Sequence, residues 1–283
     1  MTTYDPVIVV GMHRSGTTIL SRLLNQAGQF SGWLKDSNNE SYFFIALNEW
    51  VLNYAGGRWD NPAPIDWILE QPDAQSAIAE HLEKCLRSLC SLAFSGRHGL
   101  LRRALAGEFP VPWGWKDPRN AVTLPIWLRL FPNAKVLHIT RHGVDVAASL
   151  RTRQRDFLER RGGYTPRWAC GSTVFGAGRM VNSIRCMSLR GGLSLWAEYL
   201  DRAQNNLAAV PEHRKLTIKY EELVARPAEV LAQAAEFCGA SDIALSKPLE
   251  RLSIRGRANA WAQDDELSAF ADEARNILSR YGY

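Results

Sequence analysis

The sequence predicts an α/β chain, a three-layer α/β/α domain built on a central parallel sheet, and three observations carry that expectation. Short apolar, β-branched runs alternate along the 283 residues with stretches of helical period. The first run, Val7 to Val10, is apolar at every position, as a strand covered by helices on both faces requires. No apolar run approaches the ~20 residues of a bilayer span. A composition with 46% hydrophobic and 22% charged residues is that of a folded globular chain.

Taken in order, the elements follow from local pattern. After the Val7–Val10 strand, Ile19, Leu20, Leu23, Leu24 and Ala27 fall on one helical face until Gly28 stops the helix. An amphipathic helix is expected from about Asn38 to Tyr54, and the Gly/Pro-rich GGRWDNPAPIDW then reads as a loop. A long helix should run from about Ala74 to Phe94. Trp113 to Asp117 leads into Pro118 as a short strand, and Lys135 to Thr140 is a buried strand feeding a helix over Val144 to Leu150. Arg151 to Gly192 shows no clear period until a helix begins that carries Trp196 and Tyr199, so residues 151–192 are expected to form an excursion over the site. Leu216 to Tyr220 is a further strand. Pro227 and Gly239 then bracket the helix PAEVLAQAAEFCG, and Asp264 to Tyr281 reads as helical. Residues 1–283 are expected to form one domain.

Charge and cysteine usage narrow the function classes. A formal charge of +5 and a pI near 9.0 fit an anionic ligand, but no basic repeat or RNA-binding signature points to nucleic acid. Five cysteines form neither a CxxC pair nor a cluster with the six histidines, so reduced thiols and no metal are expected. The start MTTYDP has neither a basic segment nor an apolar core, and a cytoplasmic protein without a membrane span is expected.

The stretch VIVVGMHRSGTT carries the chemistry. Gly11 and Gly16 let the backbone turn so that successive N–H groups point inward, and the helix opening at Thr17 adds its partial positive charge. An anion belongs there. The spacing almost completes a P-loop, since the two glycines enclose four residues and Thr18 takes the hydroxyl position, but Thr17 stands where the lysine would be. A triphosphate enzyme needs that lysine. Arg14 supplies the cation instead.

This loop, with Arg14, Ser15, Gly16, Thr17 and Thr18 after a buried strand, resembles that of the sulfotransferases that use 3'-phosphoadenosine-5'-phosphosulfate (PAPS). AKVLHITRHGVDVAASL, residues 134–150, resembles the family's second signature. The resemblance implies a P-loop-like fold and transfer of a sulfuryl group from PAPS, with PAP as product and no metal. The acceptor would be a hydroxyl or amine of a small molecule, carbohydrate or peptide. It also implies that the Arg14–Thr18 loop surrounds the 5'-phosphosulfate, while Arg141 and Ser149 hold the 3'-phosphate.

Further roles come from the same resemblance. Lys116 in WKDPR is similar to the lysine that the tyrosylprotein sulfotransferases place near the transferred sulfate, with Asp117 fixing the turn or orienting Lys116. Some members use a histidine base and others a glutamate shortly after the first helix. Glu40 matches the glutamate class, with His13 as second candidate and Asp36 as third. By residue type alone, Glu40 also reads as a carboxylate opposing a helix macrodipole. Arg153 and Tyr220 match further nucleotide contacts, and Arg255 and Arg257 in SIRGRANAW occupy the place of a basic loop over the adenosine. Trp33, Trp50, Trp59 and Trp67 gather where an acceptor should lie, most of them expected in the core. The arginines at 151, 155, 160, 161 and 167 would equally suit an anionic acceptor. The alternatives are a P-loop kinase or other nucleotide-dependent enzyme, separated by magnesium dependence, and a non-catalytic nucleotide-binding module.

Overall fold

The computed structural model describes residues 4–96, 109, 111–162, 183–240 and 258–283. In chain order the elements are β1 (Val7–Val10), α1 (Thr17–Gln26), α2 (Tyr42–Tyr54), α3 (Asp66–Leu69), α4 (Pro72–Arg87), α5 (Leu92–Ser95), β2 (Gly114–Lys116) and α6 (Asn120–Leu130). They continue with β3 (Lys135–Thr140), α7 (Gly143–Gly162), α8 (Leu189–Ala208), β4 (Lys215–Lys219), α9 (Tyr220–Ala225), α10 (Pro227–Cys238), α11 (Asp265–Glu273) and α12 (Arg275–Ser279). Two compact units divide them, one of Met1–Arg141 with Tyr199–Ala258 and one of His142–Glu198 with Asn259–Tyr283.

The first unit holds a parallel sheet in the order β2-β1-β3-β4. Val7 pairs with Gly114 on one side and Lys135 on the other, and Val136 pairs with Lys215. The period of two sends Val7, Val9, Leu137, Ile139 and Ile218 to one face. There they meet Leu20, Leu23 and Leu24 of α1, Leu223 of α9, and Val230, Leu231 and Ala234 of α10. Burying each of these leucines contributes about 1.5–3 kcal/mol relative to leaving it in water. On the opposite face α6 packs against β1. Below them Phe44 of α2 stacks on Trp115 with centroids 4.0 Å apart, and Trp127 closes edge-on at 5.4 Å. Helices therefore cover both faces of an all-parallel sheet, as the sequence predicts.

Several boundaries differ from expectation for identifiable reasons. α2 begins at Tyr42, because the Asp36 carboxylate accepts the backbone N–H groups of Asn38 and Glu40 and holds residues 36–40 in a turn. The expected 74–94 helix breaks at Ser88, whose hydroxyl donates to the Cys85 carbonyl and accepts from the Cys90 N–H. α6 contains Pro125, which cannot donate to the carbonyl of Ala121. Asn206 of α8 donates to that carbonyl instead, at 2.9 Å. Tyr220 opens α9 rather than closing β4.

In the second unit α7 continues to Gly162, so the helix expected over Val144 to Leu150 extends through residues 151–162, and α8 starts at Leu189. Residues 163–182 lie outside the described residues. Asp145, in the first turn of α7, accepts the Trp261 N–H at 3.0 Å, and His142 stacks on the Trp261 ring at 4.6 Å. Arg151 of α7 donates to Glu266 of α11 at 2.7 Å. No described helix is long and apolar enough to cross a membrane.

Candidate functional site

β1 ends in a loop whose path leaves no room for side chains at its glycines. A Cβ on Gly11 would lie 2.6 Å from the Ile139 carbonyl oxygen, and one on Gly16 would lie 2.3 Å from Cδ2 of Tyr220. Between them Arg14 is exposed and takes a left-handed backbone, φ +70°. Buried Ser15 closes the turn, because both its N–H and its hydroxyl donate to the Met12 carbonyl, at 3.1 and 2.6 Å. Gly16, at φ +95°, is the N-cap of α1, with no side-chain cap among the described residues and no acidic residue in the first turn. The helix start therefore keeps the arrangement that favours an anion.

Strand order places this loop at a switch point. β1 is flanked by β2 on one side and β3 on the other, and crevices outside the carboxyl ends of such strands accept ligands. The loop follows β1, and Arg141 follows β3. Arg141 Nη1 donates to the Arg14 carbonyl at 3.2 Å, and its guanidinium stands 4.6 Å from the Tyr220 ring centroid.

A second cluster forms at the end of β2. Lys116 is 1% exposed, and its Nζ donates to Glu40 Oε1 at 2.6 Å and to Thr18 Oγ1 at 3.4 Å. Burial raises the Glu40 pKa most strongly, and the charges of Asp117 and Asp36 add to the rise. Lys116 opposes it, leaving the carboxyl pushed up to about 7. Glu40 precedes α2 and is not in its first turn, so it faces Lys116 rather than the macrodipole of that helix.

Neighbouring buried groups fix the turn that follows Lys116. Asp117 accepts the Arg119 N–H at 2.9 Å and Asn48 Nδ2 at 3.0 Å. Asn48 also donates to Asn120 Oδ1 at 2.9 Å, and Asn120 Nδ2 donates to the Val9 carbonyl at 3.0 Å. Arg119 reaches Glu49 at 2.7 Å. The turn after β2 is thus tied to both β1 and α2. Sequence reasoning passed over Asn48, Arg119 and Asn120. The available signal was an asparagine within the apolar stripe of Phe44, Leu47 and Val51, where a buried amide demands partners.

The structure brings Arg14, Ser15, Gly16, Thr17, Thr18, Arg141 and Tyr220 around the loop, and Glu40 to Lys116. His13 and Asp36 have other partners. His13 is buried, with its ring edge-on to Trp59 at 4.7 Å and to Tyr199 at 6.1 Å, and the Asp36 carboxylate is used by its own turn. Ser149 and Arg153 are half-buried on α7 in the second unit. Arg255 and Arg257 lie outside the described residues. Of the four tryptophans only Trp59 is in the core. Trp33 and Trp67 are exposed, and Trp50 is half-buried against His81. Among the described residues no three His, Cys, Asp or Glu side chains gather as metal ligands.

Comparison with known proteins adds the family. The model of the sulfotransferase family matches residues 6–243. The sulfotransferase domain of the Synechococcus PCC 7002 olefin synthase superposes with a TM-score of 0.51 at 18% identity, over 100% of this chain and 96% of that one. The sulfotransferase domain from the curacin biosynthetic pathway gives 0.50 at 18% identity, over 97% and 99%. At such identities the likeness is one of fold. An uncharacterized protein of Aquifex aeolicus strain VF5 is 28% identical over 244 residues, 82% of this chain, which spans 25% of that relative's length. Because the family match runs from ahead of β1 past the end of α10 and so takes in the loop after β1, the Glu40–Lys116 pair and Arg141, the chain belongs to the sulfotransferase family, a family of enzymes.

Proposed function

We propose that this chain transfers a sulfuryl group from PAPS to a hydroxyl or amine acceptor, a small molecule, carbohydrate or peptide, without a metal ion. The observation that carries the reading is the meeting of Glu40, Lys116 and Thr18 at the start of α1. There a buried ammonium is within hydrogen-bond reach of both a carboxylate poised near neutrality and the start of α1.

PAPS when bound supplies the activated sulfuryl group. The uncapped start of α1 and the left-handed turn at Arg14 and Gly16 fit its 5' end, and Arg141 with Ser149 is assigned to the 3'-phosphate through the family resemblance. Glu40 takes the proton of the acceptor as the acceptor oxygen or nitrogen bonds to sulfur and the bond from sulfur to the phosphate oxygen breaks. Lys116 and Arg14 offset the charge that gathers on the equatorial oxygens and the leaving phosphate. Family membership supports PAPS over a triphosphate, as does Thr17 in place of the loop lysine.

Calorimetric titration with PAP, with and without EDTA, tests the assignment. Binding that survives EDTA and prefers the 3'-phosphorylated nucleotide over ATP is expected. Tight ATP binding that needs magnesium, with no preference for a 3'-phosphate, would remove sulfuryl transfer in favour of a kinase-like activity.

A further inference from the structure

The loop holds a non-glycine residue, Arg14, in a left-handed conformation that such residues enter only at a cost. The Arg14 carbonyl accepts from Arg141 Nη1, and the same guanidinium lies over the ring of Tyr220. The ring in turn abuts Gly16, so closely that any Cβ there would overlap it. Arg14, Arg141, Tyr220 and Gly16 thus close a circuit that starts and ends in the loop. All four belong to the first unit.

We propose that Arg141 and Tyr220 form a brace that sets the loop's conformation, so that Arg141 positions the 5' end of the nucleotide as well as contacting its 3'-phosphate. The proposal deepens the PAPS reading and rests on it for the nucleotide, but not for the brace itself. A guanidinium has a flat face and a rim of donors. Stacked on an aromatic ring, it keeps its rim for hydrogen bonds, here one to the Arg14 carbonyl. Tyr220 is then a positioning residue, acting through Arg141 and through its contact with Gly16.

The test uses the full chain with Arg141→Ala, Tyr220→Leu and Tyr220→Phe, each checked for a wild-type unfolding transition. Two readouts are needed: hydrogen–deuterium exchange of the peptide covering residues 11–18 without ligand, and affinity for PAP and for 5'-AMP, which lacks the 3'-phosphate. Exchange should rise about fivefold or more in Arg141→Ala and Tyr220→Leu, the scale of a lost stacking or hydrogen-bond contact, and stay at the wild-type level in Tyr220→Phe, which keeps the ring. Arg141→Ala should weaken AMP as well as PAP, and adding Tyr220→Leu should weaken AMP no further.

An Arg141→Ala protein that loses PAP affinity while its AMP affinity and loop exchange stay at wild-type values overturns the brace and leaves a simple 3'-phosphate contact. If the wild type binds neither nucleotide, the PAPS reading fails and the exchange readout alone decides the brace, with unchanged exchange rejecting it. Should Tyr220→Leu not fold, Arg141→Ala decides alone.

Discussion

Replacing Glu40 with glutamine separates a base from an ion-pair partner. Glutamine keeps the oxygen that accepts from Lys116 Nζ at 2.6 Å but removes the negative charge, leaving an ammonium that is 1% exposed. Removing one partner of a buried pair altogether costs about 3–5 kcal/mol. Because the amide still accepts the hydrogen bond, the expected loss is nearer the worth of one charge-assisted bond, about 1.5–3 kcal/mol. A carboxylate that merely opposed a helix dipole would give about 0.3–1 kcal/mol. Stability therefore reports the pair and says nothing about the proton transfer.

The rate reports the base. Single-turnover measurement with PAPS and any accepted acceptor should show Glu40→Gln slowed about a hundredfold or more per folded molecule. With its carboxyl pushed up to about 7, the wild type should lose rate about tenfold per pH unit below that value as Glu40 gains its proton, and level off above it. The glutamine protein should lack that limb. Linkage gives stability the opposite slope: the native state holds this proton from the ordinary carboxylate range up to about pH 7, where the unfolded chain has released it. The wild type should lose stability as pH rises through that window, and Glu40→Gln should not. A wild-type single-turnover rate in Glu40→Gln, with the loss appearing in His13→Asn, would refute the reasoning and move the base to His13.

Two further outcomes concern the scaffold. His138 lies in β3, fully desolvated, its pKa pushed down to about 4 by burial and its Nε2 without a hydrogen-bond partner among the described residues, so the unfolded chain takes up a proton first as pH falls. Urea titrations should show a stability contribution that is complete above about pH 6.5 and is lost between there and about pH 4, up to about 3 kcal/mol, and His138→Gln should flatten that slope. Asn206→Ala should cost about 1–3 kcal/mol by orphaning the Ala121 carbonyl, and clearly less in a Pro125→Ala background, where residue 125 regains the N–H that can serve it. Thermal unfolding of the four-protein cycle checks this.

What the sequence disclosed, and what it hid, divides by distance along the chain. β1, β3 and α10 were legible because their determinants are local: apolar runs buried on both faces, a proline in the first turn, a glycine at φ +76° past the last one. α6 was not, because Pro125 reads as a breaker and its remedy comes from Asn206, on another helix. The start of α2 was misplaced because the Asp36 carboxylate competes for the very N–H groups a helix would use. In the site, the loop's residue types announced an anion, whereas the contact between Glu40 and Lys116 joins positions 76 apart and has no local signature.

That contact also resolves the apparent defect of the loop. Thr17 stands where a loop lysine would place its ammonium, yet Lys116 arrives from β2 with its Nζ 3.4 Å from Thr18 Oγ1, beside the same helix start. The backbone of Lys116 is held by parallel pairing of β2 to β1, and the turn after it by the Asp117–Asn48–Asn120 network, so little backbone freedom remains to be lost when a substrate arrives. The lysine's charge has a second consequence. Burial pushes the Glu40 carboxyl up to about 7, and the ammonium of Lys116 beside it opposes that rise. Taking the ammonium away from Glu40 would therefore be expected to push its carboxyl higher still.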